Sequence, residues 1–358
     1  MSLALDRYCH RKRIRFRCTV ITPMFLGNAD QDAEWRAAPF KSLLRYWWRV
    51  TQKDHSSFEK LRERENLLFG CAGDTGTKGV GKSLVSTAVF SDASPCLAPL
   101  KHNEQVEHPE MKKYIDPLLY LGGMGLLNKG IPQHSYFPAG SSFEWEISYP
   151  LNPAINLHRI FGLIRSFGTI GARCRNGWGS FYVVAEDENL FSTSTLHELE
   201  RDWRQAFAFD YPHCLGRDTL GSLIWKTTKA HGDWKGTMRE LADVYIALRA
   251  RTVSNIDKLD PGSNSSASER HLFGIPLTHH NAWGNQARHA SPLRFVVHRQ
   301  PDGQHRGFIL HVPHRFSQEL AQKYPKFTAE YQIKVWEKVH KKLDNISSLK
   351  RAQYKDCI

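Results

Sequence analysis

The sequence predicts an α+β protein built of two ferredoxin-like units, the second divergent, on three observations. Over roughly the first half, apolar spacing switches between period two and period 3.6 in the order strand, helix, strand, strand, helix, strand. An acidic, polar stretch, Glu186–Ser194, then separates this half from a second run of mixed elements. That places one unit at 1–188, with an insertion near 91–136, and another at 195–358. Finally, 358 residues at 41% hydrophobic and 24% charged suffice for two apolar cores.

The first strand is Arg11 to Thr22. Ile14, Phe16, Cys18 and Val20 point one way, and Arg13, Arg15 and Arg17 the other. Two readings of the arginine row stand: a charge-guarded edge strand, or a basic ladder along a sheet. Thr22–Asp30 then turns through Gly27, Asn28 and Asp30. A helical stretch follows over 38–69, either continuous or broken, with Pro39 suited to its first turn. Phe40, Leu43, Leu44, Trp47 and Val50 form its core face. Lys41, Arg45, Trp48, Arg49 and Gln52 share another face. Cations alternating with an indole there suit phosphate clamping and base stacking; a solvated face roofed by Trp48 is the plainer reading.

Strands are expected over 83–90 and 142–149, a helix from Pro153 to about Phe167, and a strand over 179–185. Between the last two, Gly168–Ser180 carries Gly171, Gly177 and Gly179 around Arg173 and Arg175. Glycine permits close backbone approach of a phosphate chain, and arginine grips phosphate with two N–H groups. A plain glycine-rich turn is the alternative. The second half predicts helices over 195–207, 234–251 and from about Ser317. It also predicts a strand over 220–228 and a hairpin around Pro301–Gly303. RRM domains share the order of the first half and bind single-stranded RNA on their sheets.

Charge points to a polyanion. The net charge is +13, and residues 1–50 hold ten Lys/Arg against four Asp/Glu, which is +6 of that excess. Seven widely spaced cysteines without C-x-x-C argue against a disulfide framework or a zinc knuckle and favour a reducing cytoplasm. No apolar run has the length of a membrane span, so no membrane partner is expected. Gly76–Ser83 satisfies G-x-x-x-x-G-K-S, but a helix precedes it and a β-branched run follows. That is the reverse of a P-loop, so Lys82 is read as a simple cation rather than an ATP ligand. Among eighteen histidines, including His279, His280, His289, His311 and His314, no metal-ligand spacing occurs. Asp30 and Asp32 beside Arg36 read as capping or ion-paired. No cofactor, metal or catalytic residue is expected.

Several of these motifs resemble one family. Thr22–Asp30 reads T-P-x-F-x-G-x-x-D, and Arg36–Arg49 reads R-x-x-P-F-K-x-x-L-R-x-W-W-R. Leu68-Phe69-Gly70 precedes Gly81-Lys82-Ser83, Y-L-G is present at Tyr120–Gly122, and Gly171–Ser180 closes the half. Arg288–Phe295 reads R-x-A-S-P-L-x-F. Together they resemble the RAMP superfamily, and within it subunit one of the Cmr complex of type III-B CRISPR effectors. Asn28 stands where a second glycine is common, and Ala37-Ala38 where proline is common. The resemblance implies a non-catalytic RNA-binding subunit that caps the guide 3′ end and helps capture target RNA. Its partners are guide RNA, single-stranded target RNA and other Cmr RAMP subunits. The residues expected on RNA are Arg36, Lys41, Arg45, Trp48, Arg49, Lys82, Arg173 and Arg175. The alternative is a metal-independent RAMP endoribonuclease that processes guide RNA, for which His10 and His55 are the candidates.

Overall fold

The structure is a computed structural model that describes residues 10–71, 81–109, 112–123, 125–152, 155–191, 195–249, 259–260, 266–275, 282–284 and 286–357. Residues 76–80 of the Walker-like stretch, Pro153, most of the 260–268 loop, His279 and His280 lie outside them.

Period-two alternation builds β1 (Arg11–Val20), with Ile14, Phe16, Cys18 and Val20 buried. The helical stretch is two helices, α1 (Ala37–Thr51) and α2 (Phe58–Phe69); the Ser57 hydroxyl caps α2 by accepting from Lys60 N at 3.3 Å. Then come β2 (Ser86–Phe90), β3 (Ser142–Pro150), α3 (His158–Phe167) and β4 (Phe181–Val184). The sheet runs β2-β3-β1-β4, and all neighbours are antiparallel. β1 is therefore interior, which removes the edge-strand reading of its arginines. They lie beside the carboxylates of β3 instead: Arg13 and Arg15 reach Glu146 at 3.5 and 3.1 Å, and Arg15 reaches Glu144 at 3.4 Å. Exposed pairs of this kind contribute roughly 0–1 kcal/mol each.

The second sheet repeats this plan. β5 (Ile224–Thr227), α4 (Trp234–Arg249), β6 (Leu293–Arg299), β7 (His305–His311), α5 (Ala329–Asn345) and β8 (Leu349–Arg351) follow the same element order. The strand order β6-β7-β5-β8 is antiparallel throughout and matches the first sheet position for position.

Three expectations need correction. Residues 195–207 are not one helix. Two 3-10 turns, Leu196–Leu199 and Gln205–Ala208, flank a short strand, Glu200–Asp202, that pairs with Leu215–Asp218. The helix expected from Ser317 is a short helix, Gln318–Gln322, and then α5, because Pro325 has no N–H to continue the ladder. The stretch expected to link the halves is anchored, since Leu190 and Phe191 are buried in the first core.

The two cores interlock. Val296, Phe308 and Leu310 of the second sheet enter the first core. Phe25, Trp178 and the insertion's Leu118, Leu121, Leu126 and Leu127 enter the second. The insertion thus leaves the first half in sequence and packs on α4 in space.

Candidate nucleic-acid interface

Two of the expected regions behave differently. On α1, the core stripe is as expected: Phe40, Leu43, Leu44, Trp47 and Val50 are all buried. The second face is largely covered by α2. Trp48 is only 5% exposed and meets Phe69 edge-on at 6.1 Å, so its indole is not open to a base. Glu65 of α2 is buried and takes two of the three cations of this face, Arg45 and Arg49. Arg49 forms a two-pronged pair with it, Nε to Oε2 at 2.5 Å and Nη2 to Oε1 at 2.7 Å, and Arg45 Nε lies 3.2 Å from Oε1. Arg45 Nη2 also donates to Gly70 O at 2.5 Å, which seals the end of α2. The carboxylate raises the pKa of Arg49 against the opposing effect of burial. This face is an internal joint between α1 and α2.

What remains outward is Arg36 and Lys41. Arg36 is exposed and donates to Gly27 O across the Gly27–Ala33 turn. Lys41 is half-buried, and burial together with the nearby Arg45 charge lowers its pKa. Lys82 is exposed before β2. Ser83, its neighbour, donates to Leu68 O at 2.9 Å, and a strand rather than a helix follows, so this segment lacks the P-loop arrangement.

The glycine loop between α3 and β4 crosses to the second sheet. Gly177 has φ +91°, and a Cβ there would lie 2.8 Å from Met238 Sδ of α4. Gly179 has φ +63°, and a Cβ there would collide with Ile170 O at 1.8 Å. Both positions therefore exclude side chains. Thr22 Oγ1 donates to Gly177 O at 2.7 Å and accepts from Ser180 N at 2.9 Å. Phe295 N of β6 donates to Arg175 O at 2.9 Å, and Val297 N donates to Ser180 Oγ at 3.1 Å. The loop is the seam of the two halves.

That seam presents Arg173 and Arg175 to a cleft of about 290 Å³. Tyr120 and Gly123 of the insertion, Tyr245 and Arg249 of α4, and His289–Ser291 close its other sides. No carboxylate is among its described lining residues. Arg173 is exposed and holds φ +55°, a left-handed conformation that costs a non-glycine residue roughly 1–2 kcal/mol. Arg175 is half-buried, donates to Ser291 O, and lies 5.2 Å from the Tyr46 ring centroid. His289 is pushed well below its usual pKa by burial and by the positive surroundings, so it is neutral there. Tyr120, Tyr245, Arg249 and Ser291 did not emerge as site residues from the sequence. They lie on three distant segments, and only the Y-L-G and A-S-P-L motifs marked two of those segments.

The two candidate histidines have different surroundings. Both ring nitrogens of His55 are engaged, Nδ1 with Tyr211 OH at 3.3 Å and Nε2 with Gln52 O at 2.9 Å. His10 is exposed at the start of β1. Among the described residues no group of three His, Cys, Asp or Glu side chains is placed to hold a metal. Asn28 Oδ1 accepts from the backbone N–H groups of Asp30 and Asp32 at 2.9 and 3.1 Å, as in a turn. No described helix is long and apolar enough to cross a membrane.

Residues 17–182, which hold β2, β3, α1, the glycine loop and parts of β1 and β4, match the family model of the RAMP superfamily. That segment is similar to the RAMP superfamily. No curated protein matches the chain. Among solved structures it is similar to Cmr1 from Pyrococcus furiosus in its apo form. The identity is 18%, covering 91% of this chain and 96% of that one, with a TM-score of 0.47. A chain of the type III-B Cmr-beta complex bound to cognate target RNA is 11% identical, covering 92% of this chain and 100% of that one, with a TM-score of 0.45. The RAMP match rests on the first half.

Proposed function

We propose that this chain is a RAMP-superfamily protein and a non-catalytic RNA-binding subunit of a type III-B CRISPR ribonucleoprotein. It contacts guide RNA, captured single-stranded target RNA and neighbouring Cmr RAMP subunits, and it caps the guide 3′ end. Its two sheets are read as two ferredoxin-like domains, 1–188 and 195–358, which share one strand order. The observation that carries the reading is the glycine loop of the RAMP-matched half. It delivers Arg173 and Arg175 to a cleft with no carboxylate among its described lining residues. Family motifs at Thr22–Asp30, Arg36–Arg49 and Arg288–Phe295 support the assignment to subunit one.

The RNA contacts are proposed at Arg173, Arg175, Arg36, Lys41 and Lys82. Arg45, Arg49 and Trp48 act behind them by holding α1 against α2. The test is fluorescence anisotropy of a labelled single-stranded RNA with the full chain, over a salt series near neutral pH. Affinity is expected to fall steeply as salt rises, because phosphate contacts release counterions. Arg173→Glu is expected to weaken binding at every salt concentration. Absence of salt-dependent binding, both in the free chain and alongside its neighbouring subunits, overturns the reading.

A further inference from the structure

We propose that the open face of the first sheet docks a neighbouring protein subunit, with an acidic loop of that subunit in a cleft between Tyr182 and Arg299. This rests on the reading of the chain as one subunit of a larger complex. It assigns that contact a surface separate from the cleft at the glycine loop.

Register defines the face. Directly opposed residues of paired strands share one side of a sheet. One row therefore runs Phe90, Glu144, Arg17 and Val184 across the four strands, and Thr19 stands beside Tyr182 in another. Helices α1 and α3 cover the opposite side, where Phe40 meets Trp145 and Phe161 meets Phe16. On the open side the Arg13 and Arg15 side chains are 71% and 57% exposed. Phe90 and Tyr182, on the two edge strands, are 52% and 37% exposed. Arginine and aromatic side chains are those that protein interfaces favour.

Charge selects a protein over RNA on this face. Glu144 and Glu146 stand in the arginine row, and Arg15 spans both at 3.4 and 3.1 Å. A phosphate chain laid along the row meets both carboxylates, whereas a folded partner can match mixed charge point by point. Arg17 is exposed and forms no ion pair among the described residues. Beyond it the face ends in a cleft of about 300 Å³. Thr19 and Tyr182 form one side, and Arg299, Pro301 and Gly303 of the second half form the other. No carboxylate is among its described lining residues. Asp302 of the same turn accepts from Gln304 N at 2.9 Å.

The walls of the cleft are held in place. Arg299 ends β6 opposite His305, and the turn beyond it is closed by Gln300 N to Gln304 O at 2.7 Å and Gly303 N to Gln300 O at 2.9 Å. Arg165 Nη2 donates to the Tyr182 hydroxyl at 3.2 Å, which fixes the ring. A cationic notch with an aromatic wall and no anion of its own fits a carboxylate on an apolar stem, as in aspartate or glutamate. The charge lies toward Arg299 and the stem against Tyr182.

The experiment reconstitutes the complex from the full chain, purified neighbouring Cmr subunits and guide RNA. Native mass spectrometry over a concentration series reads incorporation of the chain, and anisotropy reads RNA binding by the free chain. Arg299→Glu is expected to weaken incorporation at least about tenfold by setting like charges together. The melting temperature and RNA affinity of the free chain are expected to hold. Arg17→Gln leaves the hairpin untouched and is expected to weaken incorporation in the same direction by less. Wild-type incorporation in both variants overturns the docking face and leaves the RNA-binding reading standing. RNA affinity of the free chain that falls with incorporation makes the face an RNA track and overturns the protein partner. Failure of the wild type to join the other subunits defeats the reading of the chain as a subunit, and this inference with it.

Discussion

The second face of α1 and the glycine loop look alike in sequence, since each sets cations beside an aromatic residue or a tight turn. The fold treats them in opposite ways. On α1 the carboxylate of Glu65 gathers Arg45 and Arg49, and Phe69 covers Trp48. On the glycine loop Arg173 and Arg175 face a cleft with no carboxylate among its described lining residues. An amphipathic pattern reports that a face is polar. It does not report whether water, a second helix or a ligand meets that face.

Acid is expected to erase the difference by unfolding both regions. His213 and His314 are held at pKa values of about 4 and His340 at about 3, each chiefly by burial. Their folded values lie below the unfolded value of about 6.5, so the unfolded chain binds more protons between these limits. Stability is therefore fully present above about pH 6.5 and is lost as pH falls toward 4, on the order of several kcal/mol in total. Urea unfolding from pH 8 to pH 4 reads this out. A flat profile contradicts the buried, neutral histidines, and RNA assays belong above pH 6.5.

Trp48→Ala separates the regions most sharply among single substitutions. It is expected to destabilise the chain by about 3–5 kcal/mol, as removal of a buried indole does. RNA affinity is expected to hold where the variant remains folded. A variant of full stability and lost RNA binding returns the indole to the interface. Smaller is Glu65→Ala, at about 1–3 kcal/mol, because Arg45 and Arg49 are only partly buried and can turn to water. The freed cations should leave RNA binding equal or tighter, and weaker binding in the anisotropy assay contradicts the joint. Lys41→Gln is the mildest. It is expected to leave the melting temperature unchanged and to reduce the slope of log affinity against log salt by about one.

Much of the molecule follows from local pattern. Alternation in β1, the stripe from Phe40 to Val50, and the turn chemistry around Gly171–Gly179 each commit a segment whatever its neighbours do, because backbone sterics and apolar burial act over a few residues. The element order of the first half and its glycine loop were legible for that reason. β8, three residues long, carried too little pattern to be seen, and the apolar periodicity after Ser317 concealed the break at Pro325. Tertiary structure alone decided that β1 is interior, that Glu65 meets Arg45 and Arg49, and that Leu190 and Phe191 anchor the segment between the halves. It also decided that Tyr120, Arg173, Tyr245 and Ser291 surround one cleft. These facts depend on residues far apart in the chain meeting through packing, and spacing along one segment holds no record of what the opposite wall brings.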